Sequence, residues 1–151
     1  MNIFALHSKP SIAARYHCDK HVVKMIVESV QLLSNALHSL NLSAPYKKTH
    51  FNHPCSIWAR TSLQNYQWLW QLADHLGKEY TYRYGKIHKS HQVLQEFIPQ
   101  LIPLPNIQQT EFANATPYKH LPVIQAYKTY YQQDKASFAT WKNRNKPRWF
   151  N

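Results

Sequence analysis

Glycine is scarce in this chain, which has two in 151 residues. Tight turns between strands, and loops that cradle phosphate groups, use glycine because it adopts positive φ angles without a steric penalty. A β-sandwich or barrel with many hairpins would need more of it. The sequence therefore predicts an all-α fold, a compact helical bundle with an ordered N-terminal segment.

Cysteine and long apolar segments are scarce as well. Cys18 and Cys55 are isolated and form no CxxC motif, so neither a zinc ribbon nor a disulfide framework is indicated, and both thiols are expected to be reduced. The chain has no run of about 18 apolar residues and no signal-peptide pattern at its start. We expect a soluble protein without a membrane partner, in the cytoplasm of a bacterial or phage-infected cell and associated with the nucleoid.

Acidic residues number seven against 18 lysines and arginines, which gives a formal charge of +11. Such an excess creates a positive field over much of a small protein and favours a polyanionic partner. Aromatic residues make up 14% of the chain and are interleaved with the basic ones. Because bases offer faces for stacking and lipid headgroups do not, this composition favours nucleic acid. A basic but inert surface remains the alternative.

The length and the hydrophobic content of 44% support one sizeable core and are too small for two ordinary domains. We predict a single domain over residues 1–151 with three parts: a helical core over 1–98, a proline-rich loop over 99–122, and a C-terminal helix with a basic aromatic tail over 123–151. The apolar pattern predicts that this helix runs from Val123 to Trp141, and Gly85 predicts the end of an earlier helix.

One long helix, predicted from about Tyr16 to Leu40, carries the polar residues of greatest interest. Its apolar positions recur at spacings of three and four and predict a face that packs into the core: Val22, Val23, Met25, Ile26, Val30 and Leu33. The opposite face carries His17, His21, Lys24 and Glu28. A carboxylate in the apolar middle of a helix is costly without a partner or a function, so Glu28 needs an explanation.

The His17-Cys18-Asp19-Lys20-His21 cluster allows more than one interpretation. Two histidines at positions i and i+4 of a helix can bind a divalent metal, with His53 or Glu28 as a third ligand. In a protein this basic, the same cluster can also contact DNA phosphates. Asp19 is predicted either to cap the helix or to take part in catalysis.

The apolar start of the chain, residues 1–7, is expected to pack into the fold. An N-terminal amine has a pKa of about 8, against about 10.4 for lysine, so it is unprotonated far more often near neutral pH. It can therefore act as a nucleophile that forms a Schiff base. A nearby carboxylate can assist such an amine, and Glu28 is the best candidate for that carboxylate. A structural Glu28 paired with Lys24 or a histidine is the alternative.

Four segments in order resemble the pyrimidine dimer DNA glycosylase family, the endonuclease V type of small helical repair enzyme. They are Met1-Asn2-Ile3-Phe4-Ala5-Leu6-His7, Val22-Val23-Lys24-Met25-Ile26-Val27-Glu28, Asn52-His53-Pro54, and Glu79-Tyr80-Thr81-Tyr82-Arg83-Tyr84-Gly85-Lys86. The resemblance implies that Glu28 is the catalytic carboxylate and that the nucleophile is the amine of Met1, or of Asn2 if Met1 is removed. It further implies excision of a damaged or modified base from duplex DNA, AP lyase activity, and no cofactor; we expect a monomer.

The residues predicted to bind DNA are basic or aromatic and spread over the chain: Arg15, His17, Lys20, His21, Lys24, His53, Arg60, Arg83, Tyr84, Lys86, Arg144 and Trp149. Some have structural alternatives, because His53 before Pro54 is also suited to cap a helix, Tyr84 to packing, and Arg15 and Arg60 to surface ion pairs. Two other functions stay open: a non-catalytic nucleic-acid-binding protein, and a metal-dependent enzyme that uses His17 and His21.

Overall fold

The computed structural model describes residues 2–151, and within them every regular element is helical. The α-helices are α1 (Pro10–Tyr16), α2 (Asp19–Ser39), α3 (Pro54–Thr61), α4 (Leu63–Tyr84), α5 (Lys89–Leu94) and α6 (Val123–Asp134), with one 3-10 turn at Pro99–Leu101. No strand occurs among these described residues, so the prediction of an all-α fold is confirmed.

The two longest helices, α2 and α4, pack against each other and form the centre of the molecule. Leu33 of α2 and Leu69 and Leu72 of α4 are buried there. Each such side chain contributes about 1.5–3 kcal/mol through removal of its apolar surface from water. Helix α1 packs on α4 and α3 on both central helices, and the buried apolar side chains from Ile3 to Phe150 form one cluster.

Several helix ends follow from local sequence signals. His53 precedes α3, and its Nδ1 atom accepts a hydrogen bond from the Cys55 backbone N at 3.1 Å. The Ser62 hydroxyl accepts one from the Asn65 backbone N at the start of α4. These bonds satisfy backbone N–H groups that have no partner within the helix. Gly85 ends α4 at φ 68°, which confirms the predicted C-terminal cap. His53 caps α3, which was one of the two interpretations of this residue.

The long helix begins later than predicted, because α1 ends at Tyr16 and α2 begins at Asp19, with His17 and Cys18 extended between them. The prediction that Asp19 caps this helix is wrong, since the Asp19 side chain makes no capping bond. Its carboxylate instead accepts hydrogen bonds from Arg83, from the Thr140 hydroxyl and from the Lys142 backbone N. These contacts explain the break, because they tie this point of the chain to α4 and to the C-terminal tail.

Val23 of α2, which was predicted to face the core, is 39% exposed, and Ile57 of α3 is 46% exposed. Val23 follows the buried Val22 in α2, and Ile57 precedes the buried Trp58 in α3. A rotation of about 100° per residue, from 3.6 residues per turn, places adjacent helix positions on different faces. The core stripe of α2 is therefore narrower than predicted.

The segment that follows α5 lies along the body of the protein. The Leu63 backbone N donates to the carbonyl of Pro105, and Thr110 and Asn65 exchange two hydrogen bonds. Phe112 packs against two tryptophans of α3 and α4. The proline-rich stretch is thus fixed to the helices that it crosses.

The last helix is shorter than predicted, since α6 ends at Asp134 and not at Trp141. The carbonyl of Thr140 accepts a hydrogen bond from the Asp19 backbone N at 2.8 Å. This contact at the start of α2 requires the chain to leave the α6 axis before Thr140. The division of residues 1–151 into one domain with three parts stays a prediction.

Candidate active site

Glu28 lies near the middle of α2 and is half-buried. Its Oε2 atom is buried. The negative charge of Glu28 acts on two residues at the start of α3: it raises the pKa of His53 and of Cys55. For His53 burial has the larger effect and lowers the pKa, whereas for Cys55 burial and Glu28 both raise it. Glu28, His53 and Cys55 therefore form one electrostatic neighbourhood.

The amino-terminal segment is buried and reaches the same neighbourhood. Residues 3–6 are almost inaccessible to solvent. The Ile3 backbone N donates to the Cys55 Sγ atom at 3.4 Å, and this sulfur lies 3.9 Å from the hydroxyl of Tyr127 in α6. The Tyr127 hydroxyl also donates to the carbonyl of Ala113 at 2.7 Å. Ile3 is thus held between α3 and α6, beside the residues that sense the Glu28 charge. The predicted nucleophile, the amine of Met1, lies outside the described residues.

Phe4 anchors this segment in a cluster of rings. Its ring stacks on His21 with a centroid distance of 4.3 Å and an angle of 27°, and Tyr127 and Tyr131 approach its edges at 5.7 and 5.5 Å. The Tyr131 hydroxyl lies 2.6 Å from His21 Nδ1 and accepts a bond from the Cys18 backbone N. Residues of α6 and of α2 together fix the position of Phe4.

His17 and His21 are buried, which corrects the expectation that they contact phosphates. His17 is inaccessible, and its Nδ1 atom lies 2.6 Å from the carbonyl oxygen of Ala13. Burial is the main cause that lowers the pKa of His17 to about 4 and that of His21 to about 3. Both rings are therefore neutral near pH 7 and have little surface to offer to DNA.

The metal alternative for these histidines lacks a third ligand. Their ring centroids are 6.5 Å apart, and no group of three or more His, Cys, Asp or Glu side chains within residues 2–151 is arranged to hold a metal ion. One nitrogen of His17 and one of His21 already lie within hydrogen-bond distance of protein groups.

Arg83 is likewise an internal residue, which corrects its predicted role in phosphate binding. Its side chain is fully buried and donates to Asp19 Oδ1 at 3.0 Å and to the carbonyls of Arg15 and His17. It also lies 3.6 Å from Glu79. A guanidinium with these partners ties α4 to the α1–α2 junction and has no surface left for a phosphate.

The other predicted DNA-binding residues fall into two groups. Arg15, Lys20, Lys24 and Lys86 are exposed, and Lys20, Lys24 and Glu28 follow one another at intervals of four along α2, so they share a face of that helix. The remaining ones are half-buried: His53, Arg60, Tyr84, Arg144 and Trp149. The structure brings the two lysines into line with Glu28, and it does not bring all twelve residues to one surface.

The half-buried residues have defined protein partners. Arg60 donates to the carbonyl of Phe51 at 2.7 Å, and its guanidinium lies 3.9 Å above the Phe51 ring. Arg144 donates twice to Glu79. The Trp149 ring packs against Tyr16 and other aromatic side chains. The Lys142 ammonium lies 5.2 Å from the centre of the Tyr84 ring. Their DNA contacts stay predictions.

Sequence reasoning missed the residues that hold the amino-terminal segment: Phe4, Cys55, Tyr127 and Tyr131. Tyr127 and Tyr131 are four residues apart on α6, so their spacing predicts a common face. In sequence, that spacing is indistinguishable from ordinary core packing. Only the fold shows that their hydroxyl groups lie next to Cys55 and His21.

The fold and these contacts define a class: a helical, strongly basic protein with a half-buried carboxylate beside an anchored amino-terminal segment. Comparison with known proteins narrows it. The sequence model of the family of pyrimidine dimer DNA glycosylases matches residues 1–93. The chain belongs to this family. No curated protein and no solved structure matches it.

Membership of this family supports a DNA-repair glycosylase whose substrate is DNA. The matched segment contains Glu28, His53 and Cys55, whereas Tyr127 and Tyr131 lie beyond its end. Along residues 2–151, no helix combines the length and the apolar character needed to cross a membrane.

Proposed function

We propose that this glycosylase excises a damaged base through a Schiff base on its N-terminal amine, with Glu28 as the assisting carboxylate, and that it also has AP lyase activity. The observation that carries the proposal is the contact between Ile3 and Cys55, because it fixes Ile3 next to residues on which the Glu28 charge acts.

Covalent geometry limits how far the amine can lie from this site. An extended chain advances at most about 3.3–3.6 Å per residue, and Ile3 is held by its backbone N and its buried side chain. An amine on Met1, or on Asn2 if Met1 is removed, is therefore tethered within one or two residues of the anchor. Such tethering replaces a bimolecular encounter with a local one, which favours attack on a bound nucleotide.

In the proposed reaction the amine acts first, as the nucleophile, and the carboxylate then accepts a proton. The neutral amine attacks C1′ of the damaged nucleotide, the glycosidic bond breaks, and its electron pair leaves with the base. Glu28 accepts the proton that the attacking nitrogen loses and returns it to O4′ as the sugar ring opens to give an iminium, and water protonates the departed base. Removal of a proton from C2′ then expels the 3′ phosphate by β-elimination, and water hydrolyses the iminium to restore the amine.

Access to C1′ requires the nucleotide to leave the base stack, and this costs least where damage has weakened pairing. Exposed lysines on the Glu28 face of α2 are suited to hold the flanking phosphates. Lys24 lies one turn before Glu28 and Lys20 one turn before Lys24, and both are exposed. Arg15 and Lys86 are further exposed cations that extend the basic surface.

Borohydride trapping on duplex DNA with an abasic site or an ultraviolet photoproduct tests the proposal. We expect a covalent adduct with the parent protein, with or without a chelator, and its loss when the N-terminal amine is blocked. Glu28→Gln should bind the duplex as the parent does, and excise and trap at least about a hundredfold more slowly, as is typical when a general base is lost.

A matched control is Gln31→Glu, which adds a carboxylate one turn beyond Glu28 on the same helix. Combined with Glu28→Gln, it should not restore activity if the position of the carboxylate matters. Trapping at the parent rate by Glu28→Gln would overturn the role of Glu28. The absence of any adduct, with binding of DNA retained, would instead indicate a nucleic-acid-binding protein without this chemistry.

A further inference from the structure

A cleft near the first turn of α2, away from Glu28 in the middle of that helix, has the chemistry of a second DNA contact. We propose that it binds an unpaired nucleotide of a DNA strand, with the phosphate at Arg15 and the base against Tyr82. The inference rests on the proposed function only in taking DNA as the partner.

The cleft forms where the C-terminal tail folds against α1 and α4. It has a volume of about 610 Å³ and is lined by Arg15, Tyr16, Tyr82, Asn143, Arg144, Asn145 and Pro147. A smaller cleft of about 300 Å³ shares Arg15, Tyr82 and Arg144 with it. Sites of about 300–1,000 Å³ suit small organic ligands, and a nucleotide falls in this class.

The wall formed by Tyr82 and Arg144 is held in place. Arg144 Nε lies 2.8 and 3.1 Å from the two carboxylate oxygens of Glu79. Its guanidinium stacks 4.0 Å from the centre of the Tyr82 ring, and the Tyr82 hydroxyl donates to the carbonyl of Asn143 at 3.0 Å. A wall fixed in this way loses little conformational entropy when a ligand binds.

The charges of the cleft favour an anion. Glu79 is the one acid among the residues that line the two clefts, and it is buried with Arg144 and Arg83 as partners. The exposed Arg15 is therefore not offset by an acid of the lining. A guanidinium presents a planar set of donors that matches phosphate oxygens.

The other side chains of the lining suit a base. Tyr82 is 53% exposed, although it packs against the tail, so part of its ring surface is open to solvent. Stacking of a base on such a ring is worth about 1–3 kcal/mol and tolerates any base. The amides of Asn143 and Asn145 can donate to and accept from base edges. The cleft therefore combines an aromatic ring for a base, Tyr82, with a cation for a phosphate, Arg15, whereas a site for phosphate alone needs only the cation.

The cleft is separate from the proposed active site. It adjoins Arg83, which binds Asp19 at the first turn of α2. Glu28 lies nine residues further along this helix, or about 14 Å at a rise of 1.5 Å per residue. This separation of Asp19 and Glu28 along α2 exceeds the about 3.4 Å between successive nucleotides of a strand. The cleft would therefore hold a nucleotide that flanks the one undergoing excision.

Binding of a short, undamaged, fluorescein-labelled oligothymidylate tests the inference without catalysis. We expect Tyr82→Ala and Arg15→Gln each to weaken this binding about tenfold, and Tyr82→Phe to bind as the parent does because it keeps the ring. Ile87→Ala and Lys89→Gln, which remove an exposed apolar side chain and a positive charge outside the cleft, are the matched controls. Thermal unfolding of each variant verifies the fold.

Parent-level affinity in folded Tyr82→Ala and Arg15→Gln would overturn the inference, as would equal losses in the two controls. Thymidine monophosphate serves as a competitor. If it competes as well as the unlabelled oligothymidylate, the ligand is a free nucleotide and the assignment to a DNA strand fails. A parent protein that binds the oligothymidylate through this cleft but forms no borohydride adduct would contradict the proposed function and leave the cleft assignment intact.

Discussion

Residues 1–93, which match the family, and residues 94–151, which lie beyond the match, contribute differently to the same structure. The first region supplies Glu28, the buried amino-terminal segment and the central helices α2 and α4. The second supplies α6 and the tail, whose side chains close around Phe4 and tie down Asp19. The family region therefore contains the proposed chemistry, and the region beyond it holds parts of that chemistry in position.

Two links between the regions differ in kind. One is ionic: Arg83 and Glu79 of α4 meet Asp19 and, from the tail, Arg144. The other is aromatic and nearly neutral, and joins Phe4 and His21 to Tyr131. A buried charge that loses its partner is costly, whereas a neutral group that loses a hydrogen bond costs less. Substitutions at the two links should differ accordingly.

The largest effect is expected at the ionic link. Arg83→Met removes a buried guanidinium and leaves Asp19 without its guanidinium partner, while Glu79 keeps Arg144, so the free energy of unfolding should fall by about 3–5 kcal/mol. Urea denaturation measures it. Lys78→Met is the control, because Lys78 pairs with Asp74 at the surface and such a pair contributes about 0.3–0.5 kcal/mol. Equal losses in both variants would show that the buried network does not hold the regions together.

At the aromatic link, Tyr131→Phe keeps the ring and removes the hydroxyl. The His21 Nδ1 atom and the Cys18 backbone N both lose this partner, so the free energy of unfolding should fall by about 1–3 kcal/mol. Borohydride trapping should slow as well, because His21 supports Phe4, while binding of duplex DNA should be retained.

Tyr118→Phe provides the comparison for Tyr131→Phe. The Tyr118 hydroxyl donates to Asp134 within the second region and does not touch the amino-terminal segment. Trapping by this variant should equal that of the parent. If Tyr118→Phe and Tyr131→Phe slow trapping alike, α6 does not act through Phe4 and His21.

The buried histidines predict a loss of stability in mild acid. Folding lowers the pKa of His17 to about 4 and of His21 to about 3, from about 6.5 in the unfolded chain. The unfolded state therefore binds more protons as pH falls below about 6.5, and stability falls by up to about 1.4 kcal/mol per pH unit for each histidine. Urea denaturation between about pH 7 and about pH 5 avoids most carboxyl titration.

The variant His21→Gln isolates one of these contributions. It should be less stable than the parent at neutral pH, because the ring stack on Phe4 is lost, but its stability should depend less steeply on pH. An unchanged pH slope would mean that His21 is not kept neutral by its position between Phe4 and Tyr131.

The sequence predicted the helical class, the end of α4 at Gly85 and the family, because scarce glycine, helix periodicity and local caps are properties of short stretches of chain. The burial of His17, His21 and Arg83 was not predicted. Their environment depends on Asp19, Glu79 and Tyr131, which are close in space and distant in sequence. The local sequence around a basic or titratable residue does not show whether its side chain faces DNA or an internal carboxylate.

The position of Glu28 illustrates the same limit. The apolar surroundings marked it as a residue that needs a partner or a function, and the resemblance implied which function. The anchor of the amino-terminal segment at Cys55 and Tyr127 could not be read from the sequence, because it joins residues from three separate stretches.

The smallest expected effect concerns which region contacts the DNA backbone. Lys24 lies exposed on the Glu28 face of α2, within the family region. If it neutralises one phosphate, Lys24→Gln should reduce the slope of log affinity against log salt concentration by about 1 for duplex DNA, with stability unchanged. Lys89→Gln removes the same charge at the exposed start of α5 and should leave the slope unaltered. Equal changes in the two variants would indicate a diffuse field, in which the duplex is held by the net charge of both regions and not by the Glu28 face of α2.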